Sequence, residues 1–271
     1  MEFIKQILTY PFAVRAVAAG LLLSVSAALL GVNLVLKRFS MLGDGLSHVS
    51  FGAAAIGLAA GVAPLEFSIP IVILAAFLLL HIKQNGKING DAATAIVSSS
   101  ALAVGITVAT LTTGMNTDIS NYMFGSILAL GKKEVIIAVI CGILIISIYI
   151  LFYQKIFVTA FDEDFAAVTG VNVKLYNSIN AILTAVTVVI GMKIMGALLI
   201  SSIITFPALS SMRICKHYKC TVTVAAIISA VSFLSGLMLS FAFDIPAGAS
   251  VVLTNLAVFL ILSAVGKIKQ I

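Results

Sequence analysis

The chain has 271 residues, of which 61% are hydrophobic and only 10% are charged, with a formal net charge of +6 and a mean hydropathy of +1.21. Soluble domains carry roughly 45–50% apolar and about 25% charged residues. So few charges could not cover a water-facing surface, which excludes a soluble enzyme, a nucleic-acid-binding protein and a disordered chain. The composition predicts an all-α, polytopic transmembrane helical bundle solvated by membrane lipid. The positive charge is explained by Lys and Arg residues that anchor helix ends.

Nine apolar segments approach the length of about 20 residues that a helix needs to cross the hydrocarbon core. We predict spans at Val14–Leu36, 45–62, 67–82, 92–111, 135–152, 175–190, 194–212, 222–243 and 247–265. Only residues 191–193 separate the sixth span from the seventh, so the count is eight or nine. A tenth segment, 121–130, is too short to cross and is predicted to be a re-entrant half-helix. No linker divides the chain, so residues 1–271 are expected to form a single transmembrane domain.

The distribution of Lys and Arg predicts the orientation, because these residues concentrate on the cytoplasmic side. With nine spans and a cytoplasmic carboxyl terminus, 11 of the 16 Lys and Arg residues lie inside and the amino terminus lies outside. Lys132 and Lys133 are the exception. Residues 1–13 carry no pattern of a removable signal peptide, and they could also lie along the membrane surface.

The clearest polar feature within the apolar segments is the stretch 41–50, with the sequence MLGDGLSHVS. Asp44 and His48 are four residues apart and share one face of a helix. A carboxylate oxygen with an imidazole nitrogen suits a first-row divalent ion such as Mn, Fe or Zn. Two protein ligands are too few for a closed site, whereas a two-fold dimer would supply four. The alternative is that Asp44 caps the helix and His48 hydrogen-bonds to a neighbouring carbonyl.

A second informative stretch covers residues 161–171. Asp162 can cap a short helix with Phe165 and Val168 on one side, and Gly170 suits the left-handed residue that ends it. Such a short amphipathic helix on the cytoplasmic side could dock into a groove of another protein. The alternative is a helix lying on the bilayer, which its acidic start disfavours because anionic lipid would repel it.

The three cysteines and the other two histidines are not predicted to form a functional site. Cys141, Cys215 and Cys220 form no CxxC pair, so we predict neither a disulfide framework nor a zinc knuckle. His81 ends a span and reaches the interface, and His217 lies in a solvated basic loop.

Other polar residues in and near the spans are also expected to serve the fold. Asp91 is predicted to cap the fourth span. Asparagines within spans are expected to hydrogen-bond between helices, and these are Asn33, Asn180 and Asn255.

The sequence contains no site that could hydrolyse ATP or a substrate. It has no Gly-x-x-x-x-Gly-Lys-Ser/Thr loop, no His-Glu-x-x-His and no Gly-x-Ser-x-Gly. We therefore predict that the chain is not an enzyme and holds no permanently bound cofactor.

Four stretches in order also match the motifs of a known family. Residues 42–48 contain Gly-Asp-x-x-Ser-His, 124–128 read Phe-Gly-Ser-Ile-Leu, 161–170 contain Phe-Asp-x-x-Phe-Ala-x-x-x-Gly, and 196–208 form a small-residue span ending in Pro-Ala. Together they resemble the membrane permease subunit of bacterial ABC importers for manganese, zinc and iron. One departure is the missing Leu-Pro-Gly after the histidine, which could straighten the helix beyond His48.

The resemblance implies a homodimeric, or closely related heterodimeric, permease in the bacterial plasma membrane, with a cytoplasmic ATP-binding subunit and an extracytoplasmic metal-binding protein as partners. It implies that Asp44 and His48 coordinate the transported ion. The ion is then a substrate, not a cofactor. The residues implied to couple to the ATPase are Phe161, Asp162, Glu163, Phe165, Ala166 and Gly170.

Two other functions stay open from the residues alone. An ion-coupled secondary transporter would need an embedded carboxylate, for which Asp44 is the strong candidate. A non-transporting scaffold would leave Asp44 and His48 without a role. Mixed Asp and His ligation also does not choose among Mn, Zn and Fe.

Overall fold

A computed structural model describes residues 11–84, 89–112, 125 and 131–268. Within these ranges the chain forms eleven helices and no strand. In chain order they are α1 (Pro11–Leu36), α2 (Leu42–Ala59), α3 (Pro64–Gln84), α4 (Gly90–Leu111), α5 (Lys132–Leu151), α6 (Tyr153–Phe161), α7 (Glu163–Val168), α8 (Val173–Met195), α9 (Ala197–Met212), α10 (Tyr218–Phe243) and α11 (Ala247–Ile268). The prediction of an all-α helical bundle is confirmed.

Seven of the described helices are long and apolar enough to cross a membrane. They are α1, α3, α4, α5, α8, α10 and α11, and each overlaps a predicted span. The other two predicted spans correspond to α2, with 18 residues, and α9, with 16 residues. The predicted half-helix at 121–130 lies outside the described residues, except for Gly125.

The bundle is built around four helices that are mostly buried, namely α1, α2, α8 and α9. The helices α3, α4, α5, α10 and α11 surround them and leave large apolar side chains exposed on their outer faces. Small residues let the central backbones approach closely. At Gly31 on α1, for example, an added Cβ would lie 1.8 Å from the carbonyl oxygen of Ile204 on α9.

The boundary between the sixth and seventh predicted spans lies at a different residue from the one expected. We predicted a break at 191–193, but α8 continues to Met195 and ends at Gly196, which has φ +87°. The chain then reverses, since an added Cβ at Gly191 would lie 2.5 Å from the side chain of Ile200 on α9. Glycine supplies the positive φ that this one-residue turn requires.

The structure contradicts some predictions about individual polar residues and confirms another. Asp91 does not cap α4, because the N-cap is Asn89 and Asp91 lies in the first turn. Asn33 does bond between helices, accepting from the hydroxyl of Tyr218 at 2.7 Å. Two other asparagines have buried polar atoms without a hydrogen bond in the described part of the chain, namely Asn180 and Asn255.

Charged side chains pair at the two ends of the bundle. At one end Lys37, which follows α1, lies 2.8 Å from Glu163 on α7. At the other end Lys193 on α8 lies 2.7 Å from Glu134 on α5. The two ion pairs therefore mark opposite ends of the bundle.

Candidate functional site

Asp44 and His48 lie one helical turn apart on α2, and His48 Nε2 is 3.7 Å from Asp44 Oδ2. The side chain of Asp44 is 41% exposed and that of His48 is 24% exposed, although their neighbours on α2 are mostly buried. Met41, at the same face, is also exposed. The two candidate ligands are therefore partly exposed polar groups on an otherwise buried stretch of α2, with donor atoms close enough to bind one ion.

The alternative structural roles of the two residues do not hold. Helix α2 begins at Leu42 with Met41 as its N-cap, and no side chain caps it. Asp44 lies in the first turn, where the helix dipole favours a carboxylate without a capping bond. In the described residues His48 donates no hydrogen bond to a carbonyl. Apart from each other, the two side chains therefore have no polar partner in the described part of the chain.

Glycines on the buried faces of α2 fix the direction of Asp44 and His48. An added Cβ at Gly45 would lie 2.3 Å from Thr94 Cγ2 on α4, and one at Gly52 would lie 2.6 Å from the carbonyl oxygen of Ala101. On another side, Gly43 packs against Ile204 of α9. Helix α2 is thus held between α4 and α9 with its polar face turned outward.

This packing predicts that Gly52→Ala destabilises the protein. The new methyl group would meet a backbone oxygen, which cannot move aside as a side chain can. We expect a loss of about 1–3 kcal/mol, typical of overpacking, measured as a lower Tm of the purified protein. The matched control is Gly131→Ala, where the nearest atom lies 3.7 Å from the added Cβ. Equal Tm values for both variants would contradict the close approach of α2 and α4.

Other metal-ligating residues do not form a cluster. In the described ranges no group of three or more His, Cys, Asp or Glu side chains could hold a metal ion. His81 is exposed near the end of α3, and His217 is exposed just before α10.

The prediction of no disulfide is wrong, because Cys215 and Cys220 form a disulfide in the loop between α9 and α10. Only their three-dimensional proximity shows this, since no sequence motif marks the pair.

The predicted short helix corresponds to α7, and Asp162 and Gly170 bound it as predicted. Asp162 Oδ1 accepts hydrogen bonds from the backbone N–H groups of Asp164 and Phe165, both at 3.0 Å. Gly170 has φ +80° and ends the turn that follows the helix. The capping carboxylate and the left-handed glycine thus bound a short helix of six residues.

Exposed apolar side chains lie on helix α7 and just before it, at Phe161, the last residue of α6. Phe161 is 77% exposed, Phe165 58% and Val168 88%, whereas Ala166 is fully buried against the bundle. Large apolar groups clustered on a polar segment typically mark a protein-binding surface. The exposed side of α7 therefore has the composition of a docking surface.

Glu163 faces the bundle and binds Lys37, a contact that the sequence did not predict. Burial alone would raise the pKa of Glu163, but the hydrogen bond and charge of Lys37 outweigh burial and lower this pKa. Burial lowers the pKa of Lys37, against the opposing hydrogen bond and charge of Glu163. Glu163 is therefore ionised at neutral pH and bound to the ammonium group.

A helical membrane bundle with an acid–imidazole pair on a central helix and an apolar docking helix at one end has the features of a membrane transport protein. The chain belongs to the ABC 3 transport family, whose model matches residues 9–266. The resemblance to ABC permease subunits is thereby confirmed, and the chain is an integral membrane protein. In this family the permease is not an enzyme, since ATP is hydrolysed on a separate subunit.

Several relatives match over nearly their whole length. The chain is 32% identical to the high-affinity zinc uptake system membrane protein ZnuB of Haemophilus influenzae, covering 91% of this chain and 94% of that protein. It is 28% identical to the manganese import system permease protein ScaB of Streptococcus gordonii, covering 96% and 93%. The solved structure of PsaBC from Streptococcus pneumoniae in complex with Fab matches with a TM-score of 0.85 and 28% identity, covering 96% of this chain and 94% of that chain.

Proposed function

We propose that the chain is the transmembrane permease subunit of an ATP-driven importer for divalent transition-metal ions. It passes the ion from an extracytoplasmic binding protein to the cytoplasm. The observation that carries this proposal is the pair of partly exposed side chains on α2, Asp44 and His48, which contact each other and have no other polar partner among the described residues. Relatives named for zinc uptake and for manganese import support this class of substrate.

The chemistry of the pair fits the transfer of a doubly charged ion. Moving such an ion into a low-dielectric interior is prohibitive unless its charge and lost water ligands are replaced. The carboxylate of Asp44 offsets part of the charge, and the imidazole of His48 replaces a water ligand. Access then alternates between the two sides, driven by ATP binding and hydrolysis on the partner.

A second copy of the permease completes the coordination. Met41, Asp44 and His48 recur at helical spacing and are the partly or fully exposed residues in the otherwise buried stretch 41–50. Apposition of two such faces about a two-fold axis gives two carboxylates and two imidazoles. This arrangement requires a homodimer or a closely related heterodimer.

Nine helices of one transmembrane domain, 1–271, cross the bacterial plasma membrane in this proposal. Helices α2 and α9 are about 27 and 24 Å long at 1.5 Å per residue. Because they are buried among longer helices, they need not match the thickness of the lipid themselves. The segment 121–130 is proposed as the re-entrant half-helix. The support for this segment entering the bundle is Gly125, whose added Cβ would lie 2.2 Å from the carbonyl carbon of Met195 at the α8–α9 turn.

Helix α7 is the part that engages the ATP-binding subunit. Phe161 and Phe165 supply the apolar contact, while Asp162 and Gly170 maintain the shape of the helix. Ala166 anchors the helix to the bundle and Glu163 binds Lys37.

Reconstitution of the whole transporter tests this function. The permease, its ATPase and the binding protein are placed in liposomes, and uptake of Mn²⁺, Zn²⁺ and Fe²⁺ is measured. We expect uptake of at least one of these ions to require ATP and all three components. Uptake driven by an ion gradient through the permease alone would instead establish the secondary transporter, which the family match does not favour.

A further inference from the structure

Three side chains from distant parts of the chain form a closed hydrogen-bonded triad at the end of the bundle that carries α7. Lys37 Nζ donates to Glu163 Oε1 at 2.8 Å and also to Asn177 Oδ1. Asn177 Nδ2 donates to the same Glu163 oxygen at 3.1 Å. Each member thus bonds both others, which joins α7, α8 and the end of α1.

The triad is more than a surface ion pair. The side chain of Lys37 is only 12% exposed and Asn177 is buried, while the side chain of Glu163 is 48% exposed. Exposed ion pairs contribute little, because solvent screens them and the side chains lose entropy. A charge-assisted network in a partly buried setting has a fixed geometry and is stronger. It can therefore transmit a displacement.

The backbone of Lys37 belongs to the short turn that leads into α2. Lys83 Nζ on α3 donates to the carbonyl of Lys37 at 2.7 Å and lies 4.5 Å from the centre of the Phe39 ring. Phe39 is buried, and Arg38 adopts the left-handed conformation with φ +53°. Helix α2 follows at Leu42 and has Asp44 in its first turn. The tightly held turn 37–41 thus connects the triad to the candidate ion ligand.

The space around the triad is open. A cavity of about 430 Å³ is lined by Lys37, Lys83, Phe161, Glu163 and Asn180, among other residues. Ala166 is the sole buried residue of α7, so apolar packing holds this helix only weakly. The polar triad is therefore a main connection between α7 and the turn before α2, with free volume beside it in which α7 can shift.

We propose that Glu163 is a positioning residue that transmits the displacement of α7, through Lys37 and Asn177, to the turn 37–41 and hence to Asp44. This inference rests on the proposed function in taking α7 as the helix that engages the ATPase. Hydrogen bonds of 2.8–3.1 Å tolerate little stretching. A shift of α7 must therefore pull Lys37 along or break the triad. Loss of the triad leaves the ATPase bound and active but uncouples ATP hydrolysis from ion transport.

The test uses the complete transporter in liposomes and measures the number of metal ions taken up per ATP hydrolysed. Glu163→Ala and Lys37→Met are each expected to lower this ratio at least about tenfold, as the loss of a charge-assisted hydrogen bond implies. Glu163→Gln keeps the shape and part of the hydrogen bonding and should give an intermediate ratio. The charge exchange Lys37→Glu with Glu163→Lys should restore a substantial part of the ratio of ions taken up to ATP hydrolysed. The matched control is Asp164→Ala, an exposed acidic neighbour on α7 outside the triad.

Copurification of the ATPase with each variant distinguishes a failure of the transmission through Glu163 from a failure of the assignment of α7 as the ATPase-binding helix. Full copurification with a reduced ratio supports transmission through Glu163. An unchanged ratio in Glu163→Ala, or failure of the charge exchange to restore it, would overturn the inference. Loss of the ATPase from Glu163→Ala would also overturn it, since Glu163 would then be a docking residue. If Phe161→Asp with Phe165→Asp leaves ATPase binding intact, the assignment of α7 itself fails.

Discussion

Replacing Asp44 or His48 by Ala is expected to abolish metal uptake while the transporter remains assembled. Substitutions that only support metal ligands already reduce affinity about 10–100-fold, so loss of a direct ligand should exceed this range. Both side chains are partly exposed, so their truncation leaves no cavity in the core. The measurement is accumulation of Mn, Zn and Fe in cells whose only copy of this permease is the variant.

His81→Ala and His217→Ala are the matched controls, because both histidines are exposed and neither lies on α2. They should retain uptake near the level of the unsubstituted protein. Asp44→Asn adds a sharper comparison, since it preserves the shape of the side chain and removes the negative charge. Normal uptake by both Asp44→Ala and His48→Ala would defeat the site assignment.

The double variant Phe161→Asp with Phe165→Asp should lose the ATPase subunit. Burial of one Phe side chain at an interface contributes about 1.5–3 kcal/mol, and a buried unpaired carboxylate adds a further cost. Each substitution should therefore weaken binding by at least about tenfold. The measurement is copurification of the ATPase with the tagged permease from membranes.

The control for that experiment replaces both residues by Leu, which keeps an apolar contact of similar size. This variant should retain most of the ATPase. A pull-down in which the Asp variant retains the full amount would show that the exposed face of α7 docks elsewhere, for example on the bilayer.

Local signals made several features of the fold and the site predictable. The segment lengths indicated the long helices, because a membrane requires about 20 apolar residues for each span. The four-residue spacing of Asp44 and His48 placed them on one face, as observed. The Asp162 cap and Gly170 marked the short helix α7, since both act within a few residues of the backbone they contact.

The features that depend on distant contacts could not be predicted. Lys37 and Glu163 are 126 residues apart in sequence, and no pattern relates them. Lys193 suggested the end of a span, but Glu134 on another helix pairs with it, and α8 continues to Met195. Helix α6 was not predicted, because nine residues are too few for a stable isolated helix and it packs against α1 and α8 only in the folded bundle.

Electron spin-echo spectroscopy of Mn²⁺ bound to the assembled transporter, labelled with ¹⁵N-histidine, tests the coordination by α2 most directly. We expect a nitrogen coupling at one Mn²⁺ per two permease chains, which disappears in His48→Gln and persists in His81→Gln and His217→Gln. A nitrogen coupling that survives in His48→Gln, or bound Mn²⁺ that shows no nitrogen ligand at all, would contradict the proposed coordination.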